Sequence, residues 1–88
     1  MAPVPGGSGV YAHLASQRSE VEARAVIRML RQTHQAILSD RDMVIRRADL
    51  AGQGTFYRVE VGPLQSAQAD GLCASLKAAG SQCVIEYE

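Results

Sequence analysis

The order in which the hydrophobic spacing changes along the chain constrains its fold more than any other feature. Between Val10 and Tyr87, apolar residues first alternate, then recur every three or four positions, alternate in two further segments, return to helical spacing and finally alternate again. Alternation is typical of strands, and the longer period is typical of helices. The sequence therefore predicts the order β-α-β-β-α-β, an α+β ferredoxin-like fold with two helices on one face of a four-stranded antiparallel sheet.

Turn-forming and capping residues set the limits of these elements. We expect strands at residues 10–16, 44–50, 55–61 and 82–87, and a first helix at about 20–38. Gly62 and Pro63 are expected to end the third strand, because proline cannot donate to a sheet ladder. A second helix is expected to begin at Ser66, whose hydroxyl can cap it, and to end at Gly80, which readily adopts a left-handed conformation.

The buried face of the second strand is ambiguous in the sequence. Val44, Ala48 and Leu50 lie on one side, which favours that side as the buried one, although Arg46 lies there too. An edge strand tolerates such a charge. A glycine-rich turn then joins this strand to the third one as a hairpin.

Alternation also assigns side chains to the sheet face that the helices leave open. In the third strand, Phe56, Arg58 and Glu60 are expected on that face. The residues of the other strands expected there are Tyr11, His13, Ser16, Gln82, Val84 and Glu86. An open-face Phe beside an Arg indicates a ligand-binding patch, since aromatic rings pack on sugar rings and Arg binds carboxylates. The alternative is that residues 51–55 cover Phe56 and that Arg58 pairs with Glu60 or Glu86.

Size and charge exclude several classes of function. The chain has 88 residues, 47% of them hydrophobic, and a formal net charge of zero. This composition is typical of one small globular domain and provides no run of about 20 apolar residues for a membrane span. Nucleic-acid binding usually requires a surplus of positive charge, which is missing. Residues 1–9 are rich in Pro and Gly and are expected to be a linker or an expression remnant, with the folded domain over 10–88.

Cys73 and Cys83 are the only two cysteines. With His13 and His34 scattered elsewhere, they cannot complete a zinc site, and we expect no metal or other cofactor. Helix spacing directs Cys73, and strand alternation directs Cys83, toward the layer between helices and sheet. A disulfide is the favoured interpretation, with an oxidising compartment as its consequence, and two reduced buried thiols are the alternative.

Several segments resemble the sporulation-related repeat, or SPOR, domain family. The resemblance covers about residues 10–87 and is carried by YAHLAS, by Ala23 and Leu30 seven positions apart, by RADLAGQGTFYRVEVGPLQSAQAD and by LCASLKAAGSQCVIEY. Its most specific parts are YRVEVGP and LKAAG. The resemblance implies the same β-α-β-β-α-β fold. It also implies a periplasmic module that binds peptidoglycan glycan strands from which amidases have removed the stem peptides, at the division septum, without membrane contact and as a monomer.

The resemblance also implies a set of binding residues. The family's Gln-x-x-Ser pattern falls on His13 and Ser16, its aromatic-x-Arg pattern on Phe56 and Arg58, and a fourth-strand apolar contact on Val84. Alternation places Tyr11, His13, Phe56, Arg58 and Val84 on the open face, and Ser16 is expected there at the end of the first strand. The first strand departs from the family pattern, with His13 for the common Gln, Ala15 for Gly and Gln17 for Phe.

Three other functions are weaker interpretations of the same topology. An RNA-recognition motif would need a basic, aromatic-rich third strand, which TFYRVEV does not provide. A dimeric small-molecule sensor would join two such sheets. An enzyme is the weakest of the three, because its candidates His13, Ser16 and Glu60 lie on a flat face without a pocket that excludes water.

Overall fold

The computed structural model describes residues 9–87 and contains the predicted α+β fold. Its elements in chain order are β1 (Val10–Gln17), α1 (Glu20–Thr33), α2 (Gln35–Leu38), β2 (Met43–Leu50), β3 (Gly54–Leu64), α3 (Ser66–Ala78) and β4 (Val84–Tyr87). The sheet order is β2-β3-β1-β4, with every neighbouring pair antiparallel. Helices α1 and α3 pack on one face, so the opposite face of β1 and β3 stays open at the centre of the sheet.

The hydrophobic core lies between the sheet and the helices. Its buried members are Val10, Ala12, Leu14, Ala23, Leu30, Leu38, Val59, Val61, Leu64, Ala69, Leu72, Cys73, Leu76 and Cys83. The structure joins Cys73 of α3 to Cys83, which precedes β4, by a disulfide with a Cα–Cα distance of 5.3 Å. This crosslink ties the short edge strand β4 to the helical layer. Within residues 9–87, no helix is long and apolar enough to cross a bilayer.

The predicted single helix over 20–38 is wrong in its last part. It breaks at His34, whose φ of −121° and ψ of 47° lie outside the helical region, and a single turn, α2, follows. The break lets Leu38 join the core, where it is fully buried. Arg31 stabilises this corner by donating to the carbonyl oxygens of Leu38 at 3.5 Å and Arg41 at 3.2 Å.

The favoured buried face of β2 is also wrong. Met43 and Ile45 pair with Val61 and Val59 of β3 and pack against the core. The side of Val44, Arg46, Ala48 and Leu50 therefore belongs to the open face. The charge of Arg46 was the sequence signal for this face, because an open sheet face solvates a guanidinium group more readily than a core does.

The end of β3 and the start of α3 differ from expectation as well. β3 does not end at Gly62 and Pro63 but continues to Leu64, which pairs with Val10, and a cis peptide bond joins Gly62 to Pro63. The ladder with β1 shifts register at this point, which accommodates the missing N–H of proline. Helix α3 is capped by Gln65 rather than Ser66, in a capping box completed by the side chain of Gln68.

Helix α3 ends as predicted. Gly80 has a φ of +90°, and the N–H groups of Gly80 and Ser81 donate to the carbonyl oxygens of Lys77 and Leu76. This is the Schellman arrangement that a left-handed glycine permits. The expected linker over residues 1–9 lies outside the described residues, apart from Gly9.

Candidate functional site: the open face of the sheet

A β-bulge in β1 brings His13 and Ser16 to the same face. His13 pairs with Glu60 and Ala15 pairs with Val59, so two steps along β1 match one step along β3 and Leu14 is the extra residue. Leu14 is buried and Ala15 packs against the core. Without the bulge, alternation would direct Ser16 toward the helices. With it, Ser16 lies opposite Arg58 on the open face.

Arg58 is the centre of a charged network on this face. Its Nε donates to Nδ1 of His13 at 3.3 Å and lies 3.2 Å from Oε2 of Glu60. Its Nη2 donates to Oε2 of Glu86. His13 in turn forms a hydrogen bond with Ser16, with 3.2 Å between Nε2 and Oγ. When Nδ1 accepts from Arg58, Nε2 carries the ring proton and donates it to Ser16.

Glu60 forms the base of this network. It belongs to the open face by strand alternation, yet its side chain is only 1% exposed. Arg46 lies 3.2 Å from its Oε1, and Arg58 and His13 contact its Oε2. A buried carboxylate requires such partners, because an unpaired charge is costly to remove from water. Glu60 therefore holds Arg46 and Arg58 in place from below, while both arginine side chains stay partly exposed.

Each aromatic ring of the candidate set is stacked against an arginine. The guanidinium carbon of Arg18 lies 4.5 Å from the ring centre of Phe56, and that of Arg46 lies 4.2 Å from the ring centre of Tyr11. These distances are typical of cation–π contacts. Tyr11 is also packed closely on Gly62, so its ring forms part of the floor of the face.

A shallow pocket of about 370 Å³ lies on the open face between β1, β2 and the β2–β3 hairpin. Its lining has an apolar part and a hydrogen-bonding part. The apolar residues are Ala48, Leu50 and Phe56, and the hydrogen-bonding residues are His13, Ser16, Gln53 and Arg58. This mixture suits a sugar, which presents an apolar ring face edged by hydroxyl groups.

The structure places all six candidate residues on the open face, but in different surroundings. His13, Ser16, Phe56 and Arg58 line the pocket. Tyr11 lies beside the pocket under Arg46, and Val84 lies on β4 opposite His13 and is 49% exposed. The alternative expected for the third strand holds for Arg58, which pairs with both Glu60 and Glu86. The Phe56 ring lies under the guanidinium group of Arg18 and shares the pocket lining with Gln53 of the hairpin.

Sequence reasoning missed the contribution of β2 and its hairpin. The apolar pattern of β2 favours Ala48 and Leu50 as buried residues, and no sequence pattern points to Arg18 or Gln53 as site residues. The pairing of Ala48 with Phe56 depends on the hairpin register, which alternation within one strand does not report.

The nitrogen and oxygen atoms of His13, Glu60 and Glu86 lie within 4.8 Å of one another, as metal ligands would. The guanidinium groups of Arg58 and Arg46 contact the two carboxylates, which makes this cluster an ion-pair network. A divalent cation would have to displace these bound positive charges.

The fold and the open face define a class: a small α+β domain with a sugar-compatible pocket on the uncovered side of its sheet. The sequence matches the SPOR domain family over residues 6–85. The chain belongs to the SPOR domain family, which confirms the resemblance seen in the sequence.

A solved structure of a peptidoglycan-binding domain shares this fold. The peptidoglycan-binding domain of the B. subtilis cell wall lytic enzyme CwlC has 24% identity and a TM-score of 0.60, over 99% of both chains. CutA from Synechococcus elongatus, in complex with Bis-Tris, has 12% identity and a TM-score of 0.41, over 96% of this chain and 84% of that one. This weaker likeness supports no functional argument. The search of curated proteins gave no match.

Proposed function

We propose that this SPOR domain is a non-catalytic peptidoglycan-binding module that recognises glycan strands without stem peptides. Family membership and the fold shared with the domain of CwlC support peptidoglycan binding. The pocket beside Arg58 supports the finer specificity, because it joins an apolar wall to a guanidinium group. Amidase cleavage leaves a free lactyl carboxylate on muramic acid, which Arg58 can bind by a charge-assisted hydrogen bond.

Within this proposal, the six candidate residues have distinct roles. Phe56 packs on a sugar ring, Ser16 and His13 bind hydroxyl groups, and Arg58 binds the carboxylate. Tyr11 on β1 and Val84 on β4 extend the contact surface beyond the pocket. An intact stem peptide would replace the lactyl carboxylate by an amide, which removes its negative charge, and would clash with the sheet. Glycan strands without stem peptides are produced where amidases split the septum. Binding to them would direct the host protein to the septum, in the periplasm.

Ser16, His13 and Glu60 have the order of a nucleophile, base and carboxylate, and their surroundings favour recognition over catalysis. The Nδ1 atom of His13 faces Arg58 at 3.3 Å as well as Glu60 at 3.5 Å, so the carboxylate does not orient the ring alone. The Glu60 carboxylate is already held by Arg46 and Arg58. A hydrolase also needs a group near the nucleophile that stabilises an oxyanion. Arg58 is the cation in the pocket lining that could do so, and it is already paired with Glu60 and Glu86.

A pull-down with purified sacculi, before and after amidase digestion, tests the proposal. The domain should bind digested sacculi more strongly than undigested ones. Arg58→Ala and Phe56→Ala should each weaken that binding, by about 1.5 to 3 kcal/mol for Arg58 as expected for a charge-assisted bond. Arg28→Ala, an exposed arginine of α1 on the far side of the molecule, is the matched control. Equal binding by the parent and both site variants would refute the assignment of the site.

A further inference from the structure

The Arg58–Glu86 ion pair spans the central strand of the open face. Arg58 lies on β3 and Glu86 on β4, with β1 between them in the sheet. In the ladders of β1, Arg58 is opposite Ser16, whereas Glu86 is opposite Tyr11. The two long side chains therefore meet diagonally above β1, beside the pocket that contains Arg58.

The two carboxylates on Arg58 differ in how firmly they are held. Glu60 is buried and also pairs with Arg46. Glu86 is 35% exposed, lies on the short edge strand and pairs with Arg58 through Oε2. If Glu86 moves away from Arg58, water can solvate its carboxylate. The buried carboxylate of Glu60 has no access to water that could replace its ion pairs. Glu86 is therefore the partner that can leave.

We propose that Glu86 competes with the ligand carboxylate for Arg58 and so sets the affinity of the domain for acidic glycans. The inference rests on the proposed function. In the free domain, Glu86 neutralises Arg58 and holds its side chain over β1. A ligand carboxylate that binds Nη2 would lie beside the Glu86 carboxylate, which repels it. The two groups therefore compete for the single positive charge of Arg58, although the guanidinium group has N–H donors for both. A neutral glycan offers no replacement charge and leaves the pair intact.

Glu86→Gln removes the competing charge and keeps the size of the side chain. Binding should be measured by calorimetry with two probes: a peptide-free oligomer of alternating N-acetylglucosamine and N-acetylmuramic acid, and the neutral N-acetylglucosamine tetramer. We expect the variant to bind the acidic oligomer about three to ten times more tightly than the parent. The bond from Arg58 to a neutral amide is weaker than the charge-assisted bond to Glu86, and the amide does not repel the ligand carboxylate. Affinity for the neutral tetramer should change less than about twofold.

Two further variants separate direct competition from a general change in charge. Asp70→Asn removes one negative charge from α3, on the other face of the sheet, and should leave the affinity for the acidic oligomer unchanged. In an Arg58→Ala background, Glu86→Gln should produce no gain, because the donor for which the carboxylates compete is gone. If Glu86→Gln is poorly folded, Glu86→Asp, which shortens the side chain by one methylene, should still give part of the gain.

The outcomes distinguish this inference from the proposed function. If the parent binds the acidic oligomer and neither Glu86 variant binds it more tightly, competition is refuted while the proposed function stands. A gain that persists in the Arg58→Ala background also refutes it. If the parent does not bind the acidic oligomer at all, the proposed function fails and this inference fails with it.

Discussion

The Oγ atom of Ser16 lies 3.2 Å from Nε2 of His13, although strict alternation would place these two side chains on opposite faces of β1. The bulge at Leu14 reverses the alternation between them. It keeps Leu14 buried, turns Ala15 toward the core as well and turns Ser16 toward Arg58. One inserted residue therefore brings His13 and Ser16 to the same face of the sheet. Bulges commonly redirect side chains in this way near functional sites.

Glu60 should stabilise the fold more than an ordinary surface carboxylate does. We expect Glu60→Gln to lower the free energy of unfolding by about 1 to 3 kcal/mol, because Arg46 and Arg58 lose a buried partner but remain partly solvated. Urea denaturation followed by circular dichroism measures this change. Glu20→Gln, in the exposed Glu20–Arg24 pair of α1, is the control and should change stability by less than about 0.5 kcal/mol. Equal effects of the two substitutions would contradict the structural role of Glu60.

Two glycine substitutions should change stability in opposite directions. A Cβ atom at Gly62 would lie 2.6 Å from Cδ2 of Tyr11 and 3.0 Å from the carbonyl oxygen of Val10. Gly62→Ala should therefore destabilise the domain by about 1 to 3 kcal/mol and shift the NMR signals of the Tyr11 ring. Gly71 lies within α3 with open space around it, so Gly71→Ala should stabilise the domain by about 0.5 to 1 kcal/mol. A neutral effect at position 62 would show that the Tyr11 ring does not pack on it.

The disulfide should contribute a large share of the stability of so small a domain. Cys73 and Cys83 are 10 positions apart, and closing a loop of that length stabilises the folded state by about 3 kcal/mol through the entropy of the unfolded chain. Urea midpoints of the oxidised and reduced domain measure this difference. Mass spectrometry of the oxidised chain should show a deficit of about 2 Da. Identical midpoints would mean that the crosslink does not stabilise the folded domain relative to the unfolded chain.

Asp49 should report on the β2–β3 hairpin. A hydrogen bond from the Thr55 hydroxyl, and then one from Arg47, lower the pKa of Asp49 below its ordinary value of 3.8. Because the folded-state pKa is depressed, the stabilisation is present above the unfolded-state value and is lost as the pH falls through the folded-state value. Thr55→Val should raise this pKa, as measured by carboxyl-carbon NMR during acid titration. Thr55→Ser keeps the hydroxyl and should leave the pKa low; a shift as large as that of the valine variant would exclude the hydroxyl as the cause.

The candidate site was partly predictable from single-strand patterns. Alternation in TFYRVEV placed Phe56 and Arg58 on the open face, because Val59 and Val61 are apolar and must be buried. It did not identify Arg18 or Gln53, because Arg18 follows the end of β1 and Gln53 lies in a turn, so neither belongs to a strand face. It also could not choose between a free Arg58 and one paired with Glu60 and Glu86.

The sequence by itself determined the order of the elements, the helix–sheet layering and the placement of both cysteines in the core, because each follows from the period of apolar residues along a local segment. The tertiary structure alone decided the bulge at Leu14, the open face of β2, the break at His34 and the meeting of Arg58 with Glu86 above β1. These features depend on the register between strands and on which side chains fill the shared core. Such choices minimise the energy of the whole domain, so no single segment encodes them.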